Sequence, residues 1–205
     1  MSDVLARCHL DVHIDEEARR RALAHDVRRG LTARPRSLPP RYFYDGVGSA
    51  LFERITELPE YYLTRAERRV LERWACELLA TVRPREIVEL GSGSATKLCA
   101  LLAAAGERAA VVERYVPIDV DVATLVAAAR MLTDAYPRLH VHGVVGDFER
   151  HLGHLPAATG QRLVMFLGST IGNLHAGPRH ALLAAVRRLL GPGDRFLLGV
   201  DLVKD

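Results

Sequence analysis

Apolar positions along this 205-residue chain change rhythm near residue 85. Before that point the spacing is helical. Between residues 15 and 31, Ala18, Leu23 and Val27 recur among charges, the pattern of a helix with one apolar stripe. Leu51, Phe52, Ile55 and Leu58 make a second stripe, which Pro59 stops. A third helix carries Val70, Leu71, Trp74 and Leu78. Its opening, Thr64-Arg65-Ala66-Glu67, reads as a capping box in which threonine and glutamate satisfy each other's backbone donors. Residues 1–40 are otherwise polar and Arg-rich, ending in the breaker stretch ARPRSLPP.

Beyond residue 85, short apolar runs alternate with helical segments. EIVEL (86–90), RYVPIDV (114–120), HVHGVV (140–145), RLVMFL (162–167) and RFLLGVDL (195–202) read as strands. SATKLCALLAAAG, DVATLVAAARMLTDAY and PRHALLAAVRRLL read as helices, the last with Pro178 at its first position. The stretch after the third strand has no clear period. This alternation predicts an α/β fold, a parallel sheet wound by helices on both faces. The expected division is an N-terminal helical segment, residues 1–82, and a Rossmann-like domain, residues 83–205. The fifth strand would form an apolar sheet edge with unpaired backbone groups.

Composition narrows the function classes. The net charge is +3, from arginines scattered over helical faces. Without a basic stripe interleaved with aromatics, a nucleic-acid partner is not expected. No apolar run reaches membrane-spanning length and the N-terminus has no signal-peptide core, so no membrane is expected either. Cys8, Cys76 and Cys99 are odd in number and widely spaced. They fit neither a zinc pattern nor a disulfide framework, which points to a reducing cytoplasm. His140 and His142 share a strand face, with His151 and His154 following. A metal site would want further ligands, so these are read as exposed or capping histidines and no metal is expected.

In folds of this kind, ligands sit at the carboxyl ends of the strands. After the first strand comes Glu89-Leu90-Gly91-Ser92-Gly93-Ser94. It lacks the third glycine of a dinucleotide fingerprint and the Gly-Lys-Ser/Thr of a phosphate loop. A short E-x-G-x-G fits a nucleoside with an amino-acid tail. A tight strand-to-helix turn is the alternative. After the second strand, Asp119 stands where an acid accepts both ribose hydroxyls, while Asp121 is free to cap the next helix. After the third, Gly146-Asp147-Phe148 offers an acceptor for an adenine amine and a ring to pack on the base. Together these favour S-adenosylmethionine over NAD. After the fourth, FLGSTIGN (166–173) ends in Asn173. One amide donor and one acceptor there suit an amino acid's carboxylate and amine, or an Asx turn before the helix at Pro178.

In order along the chain stand PRSLPPRYFYDGVGSALFERITELPEYYLTRAE, VELGSGSATK, PIDVD, GDFE, FLGSTIGN and LLGVDLVKD. From about residue 35 to the last, the sequence closely resembles the histidine-specific N-alpha-methyltransferases of ergothioneine biosynthesis. The resemblance implies a class I methyltransferase fold and S-adenosylmethionine as cofactor. It implies trimethylation of the α-amine of L-histidine to hercynine. Residue by residue, it implies that Tyr61 and Asn173 hold the substrate's amino-acid end and that Tyr44 lies near the imidazole, leaving Tyr62 to packing. It implies Gly91 and Lys97 at the methionine end of the cofactor, Asp119 at the ribose, and Asp147 with Phe148 at the adenine. No general base stands out, because the methyl donor is already reactive and alignment carries the chemistry. The competing readings are another amino acid or amine as acceptor, or a truncated chain that binds cofactor without turnover.

Members of that family continue beyond DLVKD, and their later segment supplies the groups that grip the imidazole. A class I sheet has seven strands, and this chain ends after the fifth that the sequence predicts. The expectation is therefore a fragment, a split-gene half or a degraded copy. A complementary chain would supply the missing C-terminal part.

Overall fold

The structure is a computed structural model and describes residues 7–43 and 46–202. It contains one six-stranded parallel sheet with strand order β1-β4-β3-β2-β5-β6. The strands are β1 (Cys8–Val12), β2 (Glu86–Leu90), β3 (Arg114–Asp119), β4 (His140–Val145), β5 (Arg162–Phe166) and β6 (Arg195–Leu198). The helices are α1 (Glu16–Thr32), α2 (Gly46–Thr56), α3 (Leu63–Val82), α4 (Thr96–Ala105), α5 (Val122–Ala135), α6 (Phe148–His151) and α7 (Ala176–Leu189). Among the described residues no helix is long and apolar enough to cross a membrane.

Every residue of β2 and β5 is buried, polar ones included. This follows from their position: a central parallel strand is covered on both faces. Ile87, Tyr115, Leu163 and Met165 face α3 and α4 and join one core with Leu71, Leu79, Leu98 and Leu101. Val88, Val116, Ile118, Val164 and Phe166 face the opposite side and pack with Leu182 and Val186 of α7. Successive residues on a strand point to opposite faces, so the two cores interleave along each strand. Helices on both faces are as the sequence predicts. α3 is amphipathic as expected, but its buried stripe is Leu71, Ala75, Leu79 and Val82, and Val70 and Trp74 of the expected stripe are exposed.

Register places Glu86 of β2 between Arg114 of β3 and Arg162 of β5. Both guanidiniums ion-pair with the fully buried carboxylate. Arg162 also donates to the carbonyl of Pro156 at 2.8 Å. This triad closes the amino-end rim of the sheet and leaves the carboxyl-end rim for loops.

Four other local expectations change. β1 was not foreseen in the polar N-terminal stretch. Its Cys8 and Leu10 pack inward, the Cys8 thiol facing Thr133 of α5 at 3.7 Å. A Cβ on Gly143 of β4 would come within 2.8 Å of Leu10, so that glycine is what lets β1 approach. The last strand ends at Leu198, four residues short of the expected end. α7 begins at Ala176, so Pro178 lies inside its first turn rather than at its first position, where its missing N–H costs nothing. Finally, α2 forms, but Leu51 and Ile55 of its predicted stripe are exposed. α2 lies at the carboxyl-end rim instead of on a sheet face, and Phe52 is what it turns toward Tyr61.

Leu101 is fully buried between α4 and the first core. Leu101→Ala should lower unfolding free energy by about 2–5 kcal/mol. Val70→Ala on the exposed face of α3 should change it by about 0.5 kcal/mol or less. Urea unfolding of both variants checks the contrast.

Candidate active site

Because all six strands are parallel, the loops after β2 to β6 meet at one rim. Backbone bonds stitch these loops together. The Gly91 N–H donates to Ile118 at 2.9 Å, Gly146 to Asp119 at 2.8 Å and Gly199 to Phe166 at 2.9 Å. Gly91 has φ +66°, and a Cβ there would stand 3.5 Å from the Phe148 ring. Phe148 in turn packs edge-on against Phe166, with ring centroids 5.2 Å apart. The glycine loop is thus flattened beneath an aromatic ring, which leaves backbone rather than side chain facing the rim.

Asp119 ties the first two loops together. Its Oδ2 accepts the Gly93 N–H at 2.9 Å and its Oδ1 accepts the Asp121 N–H at 3.2 Å. Burial pushes its carboxyl above the usual range, opposed by these amide bonds. Asp121 caps α5 through Ala123 and Thr124, so Asp119 is not needed as a cap. A carboxylate has about four acceptor positions, so these amide bonds leave it acceptor capacity for a ligand hydroxyl.

Asp147 does two things at once. Its Oδ1 caps α6 through the Glu149 N–H at 2.9 Å, and its Oδ2 lies 4.0 Å from Arg41. Arg41 also pairs with Asp26 at 2.8 Å and Glu149 at 3.3 Å. Tyr42 donates to the same Asp26 at 2.7 Å. This network latches α1 and the turn Pro40–Phe43 onto the loop after β4. A second latch joins α2 to the glycine loop, Ser94 donating to Glu53 at 2.9 Å.

Lys97, on the first turn of α4, pairs with Glu67 at 2.8 Å. Glu67 was expected to close a capping box, but α3 begins at Leu63 after Tyr62 and has no side-chain cap. The glutamate instead reaches across the rim and accepts the Gly168 N–H at 2.7 Å. A Cβ on Gly168 would stand 2.7 Å from the Lys97 ammonium, and one on Gly199 would stand 2.2 Å from the Glu67 carboxylate. Three loops therefore converge on one Glu67–Lys97 pair. Gly168 lies two residues past β5 and Gly199 directly past β6, and the expected strand 195–202 hid the second of these.

On the substrate side, Tyr61 packs edge-on against Phe52, with centroids 6.0 Å apart. Arg65 fixes the preceding turn by donating to Leu58 at 2.8 Å and Pro59 at 2.6 Å. Tyr62, read as packing, is half-exposed and its hydroxyl donates to Asp201 beyond β6. Asn173 ends the turn Thr170–Asn173 and is exposed. It does not cap α7, whose cap position is His175. Tyr44 lies outside the described residues. Gly91 thus lies beside Phe148, and Asp119 is bonded to the glycine loop through Gly93 and to the loop after β4 through Gly146. Lys97 and Asp147 are linked to the same rim through Glu67 and Arg41.

Beneath the rim, Glu89 of β2 is buried and accepts the Tyr115 hydroxyl at 2.6 Å. Burial pushes its carboxyl up to about 7, partly offset by Tyr115 and Lys97.

Residues 23–205 match the model of the family described as histidine-specific methyltransferase, SAM-dependent. The chain belongs to this family. It is 50% identical over 184 residues to a histidine N-alpha-methyltransferase of Mycolicibacterium smegmatis, covering 90% of this chain and 57% of the relative. To the protein of that name in Mycobacterium tuberculosis it is 48% identical over 193 residues, covering 94% and 60%. To ergothioneine biosynthesis protein 1 of Neurospora crassa it is 33% identical over 175 residues, covering 83% and 20%. The chain spans less than two thirds of the length of these relatives. Among solved structures it is similar to magnesium protoporphyrin IX methyltransferase from Synechocystis PCC 6803 with bound SAH. There the TM-score is 0.51 at 14% identity, over 73% of this chain and 65% of that one, a likeness of fold alone.

Glu89 supplies a pH test of this rim. Its carboxyl sits at about 7 when folded against 4.5 ordinarily, so its stabilising neutral form is fully present below the lower value. Stability is then lost as pH rises through 7, by about 3 kcal/mol at most. Relative to the wild type, Glu89→Gln should gain stability across that window. Parallel urea-unfolding profiles of the two proteins would contradict this.

Proposed function

We propose that this chain is the cofactor-binding part of an S-adenosylmethionine-dependent N-methyltransferase whose acceptor is the α-amine of L-histidine. The family match, at about half identity to two histidine N-alpha-methyltransferases, is the observation that carries the reading. The geometry supports it. The Gly91 backbone under Phe148, the spare acceptor positions of Asp119 and the half-buried Asp147 make a donor set suited to an adenosine bearing an amino-acid tail.

Bound there, S-adenosylmethionine supplies a sulfonium methyl group. The chain's own residues bind and orient. In this reading Asp119 takes the ribose hydroxyls, Asp147 the adenine amine, and Phe148 packs on the ring. Gly91 and Lys97 take the methionine end, with Glu67 setting where the Lys97 ammonium stands. Tyr61, Asn173 and Tyr44 hold the amino acid. Holding amine, methyl and sulfur in line at near-attack distance is the main contribution required. The faces of Tyr44 and Tyr61 are suited to the growing methylammonium through cation–π contact.

The test is mass spectrometry of methylated products from the purified chain, run against an amino-acid panel. Histidine carrying up to three methyl groups is expected. Asp119→Ala should lower kcat/KM about 10- to 100-fold, the loss of a charged hydrogen-bond acceptor. Tyr61→Phe should keep activity that Tyr61→Ala loses. A different preferred acceptor overturns the substrate assignment, and no product from any acceptor overturns turnover by this chain alone.

A further inference from the structure

The outer edge of the sheet gathers histidines that play no part in the proposed methyl transfer. β1 and β4 run parallel with His9 opposite His142, and Asp11 lies two residues further along the same face. His9 Nε2 stands 2.9 Å from Asp11 Oδ1, and His142 Nε2 stands 2.7 Å from Asp11 Oδ2. The two rings meet edge-on with centroids 4.5 Å apart. The three candidate ligand atoms all lie within 4.8 Å of one another. We propose that His9, Asp11 and His142 form a binding site for a divalent transition-metal ion of the zinc class, which rivets β1 to β4.

The donor set decides the class of ion. Two imidazole nitrogens and one carboxylate oxygen suit zinc and its neighbours, whereas magnesium and calcium want oxygen throughout. An ionised carboxylate only accepts, so both rings now present an Nε2 proton to Asp11. A metal ion would take one Asp11 oxygen and the Nε2 lone pair that each ring exposes when its proton moves to Nδ1. Zinc–ligand bonds of about 2.0–2.1 Å in a tetrahedral site place ligand atoms about 3.3 Å apart. The observed contacts of 2.7 and 2.9 Å therefore need to open by about half an ångström. The side chains can give that much, since His9 is 65% exposed, Asp11 34% and His142 20%. That exposure also leaves a fourth position for water.

The surroundings are compatible with a cation. Arg7, Arg114 and His140 line the adjoining surface depression. Arg7 is occupied with the Thr133 carbonyl at 3.0 Å, and Arg114 pairs with the buried Glu86. Further along the edge His13 stacks on His154, centroids 4.4 Å apart, and lies 6.4 Å from His151. That second group lacks a carboxylate and serves as the internal comparison.

The test uses the whole chain without a histidine tag, stripped with chelator and titrated with zinc chloride. The expected result is one ion per chain in calorimetry, a raised melting temperature, and a cobalt(II) visible spectrum of low coordination number. Asp11→Asn and His142→Gln should each weaken binding about tenfold or more and remove the thermal shift. The double variant His151→Gln/His154→Gln should retain both. Should His142→Gln fail to fold, His9→Gln at the exposed ring gives the same reading. No binding to folded wild type at millimolar zinc overturns the proposal. So does unchanged affinity in folded Asp11 and His9 variants, or loss of binding in the His151/His154 variant alone.

Discussion

A parallel strand that is buried on both faces and paired on both edges has only its ends left for chemistry. β2 is such a strand, with all five residues buried and β3 and β5 on either side. Its burial fixes the direction of its neighbours, and their shared direction brings their outgoing loops to one rim. At the opposite rim the same register seals Glu86 between two arginines. Such a buried triad is weak as a source of net stability. Breaking it is costly, because unpaired charges would remain inside. One rim is thereby closed by charge pairing and the other is left open to ligands.

What shapes the open rim is polar contact at close quarters. Glu67 comes from α3, outside the sheet, yet it joins Lys97 and the loop after β5. Gly168 stands where the lysine passes near backbone, and Gly199 where the carboxylate does. Arg41, Ser94 and Tyr62 add further attachments between the N-terminal helices and the same rim. The segment expected to form the substrate side is thus held against the cofactor side by specific bonds. Alignment of the reacting groups, more than acid–base power, is what methyl transfer asks of a protein.

β2 to β5 were legible because buried parallel strands read as continuous apolar runs, whereas β6 is an edge strand with exposed ends and its end was set four residues too far. The glycine loop and Asp119 were legible because strand ends in this fold are where ligands go. Other features were not. β1 spends two of its five residues on His9 and Asp11, so its short sequence reads as polar, and only Gly143 on the partner strand hints at it. Glu67 obeys a local capping rule on paper, while tertiary contact with Lys97 and Gly168 decides its place. The His9–Asp11–His142 cluster pairs residues more than 130 positions apart, beyond the reach of local spacing. Tyr61 came from family resemblance alone, whereas Asn173 was also legible as the amide that closes the loop after β5.

The central claim is that this chain carries a built cofactor site of its own. The most direct measurement is calorimetric titration of the purified, folded chain with S-adenosylhomocysteine, followed by L-histidine. The account predicts one S-adenosylhomocysteine per chain. Histidine binding afterwards would place the amino-acid side within these residues as well. Failure of folded protein to bind S-adenosylhomocysteine would contradict the account, whatever its sequence shares with the family.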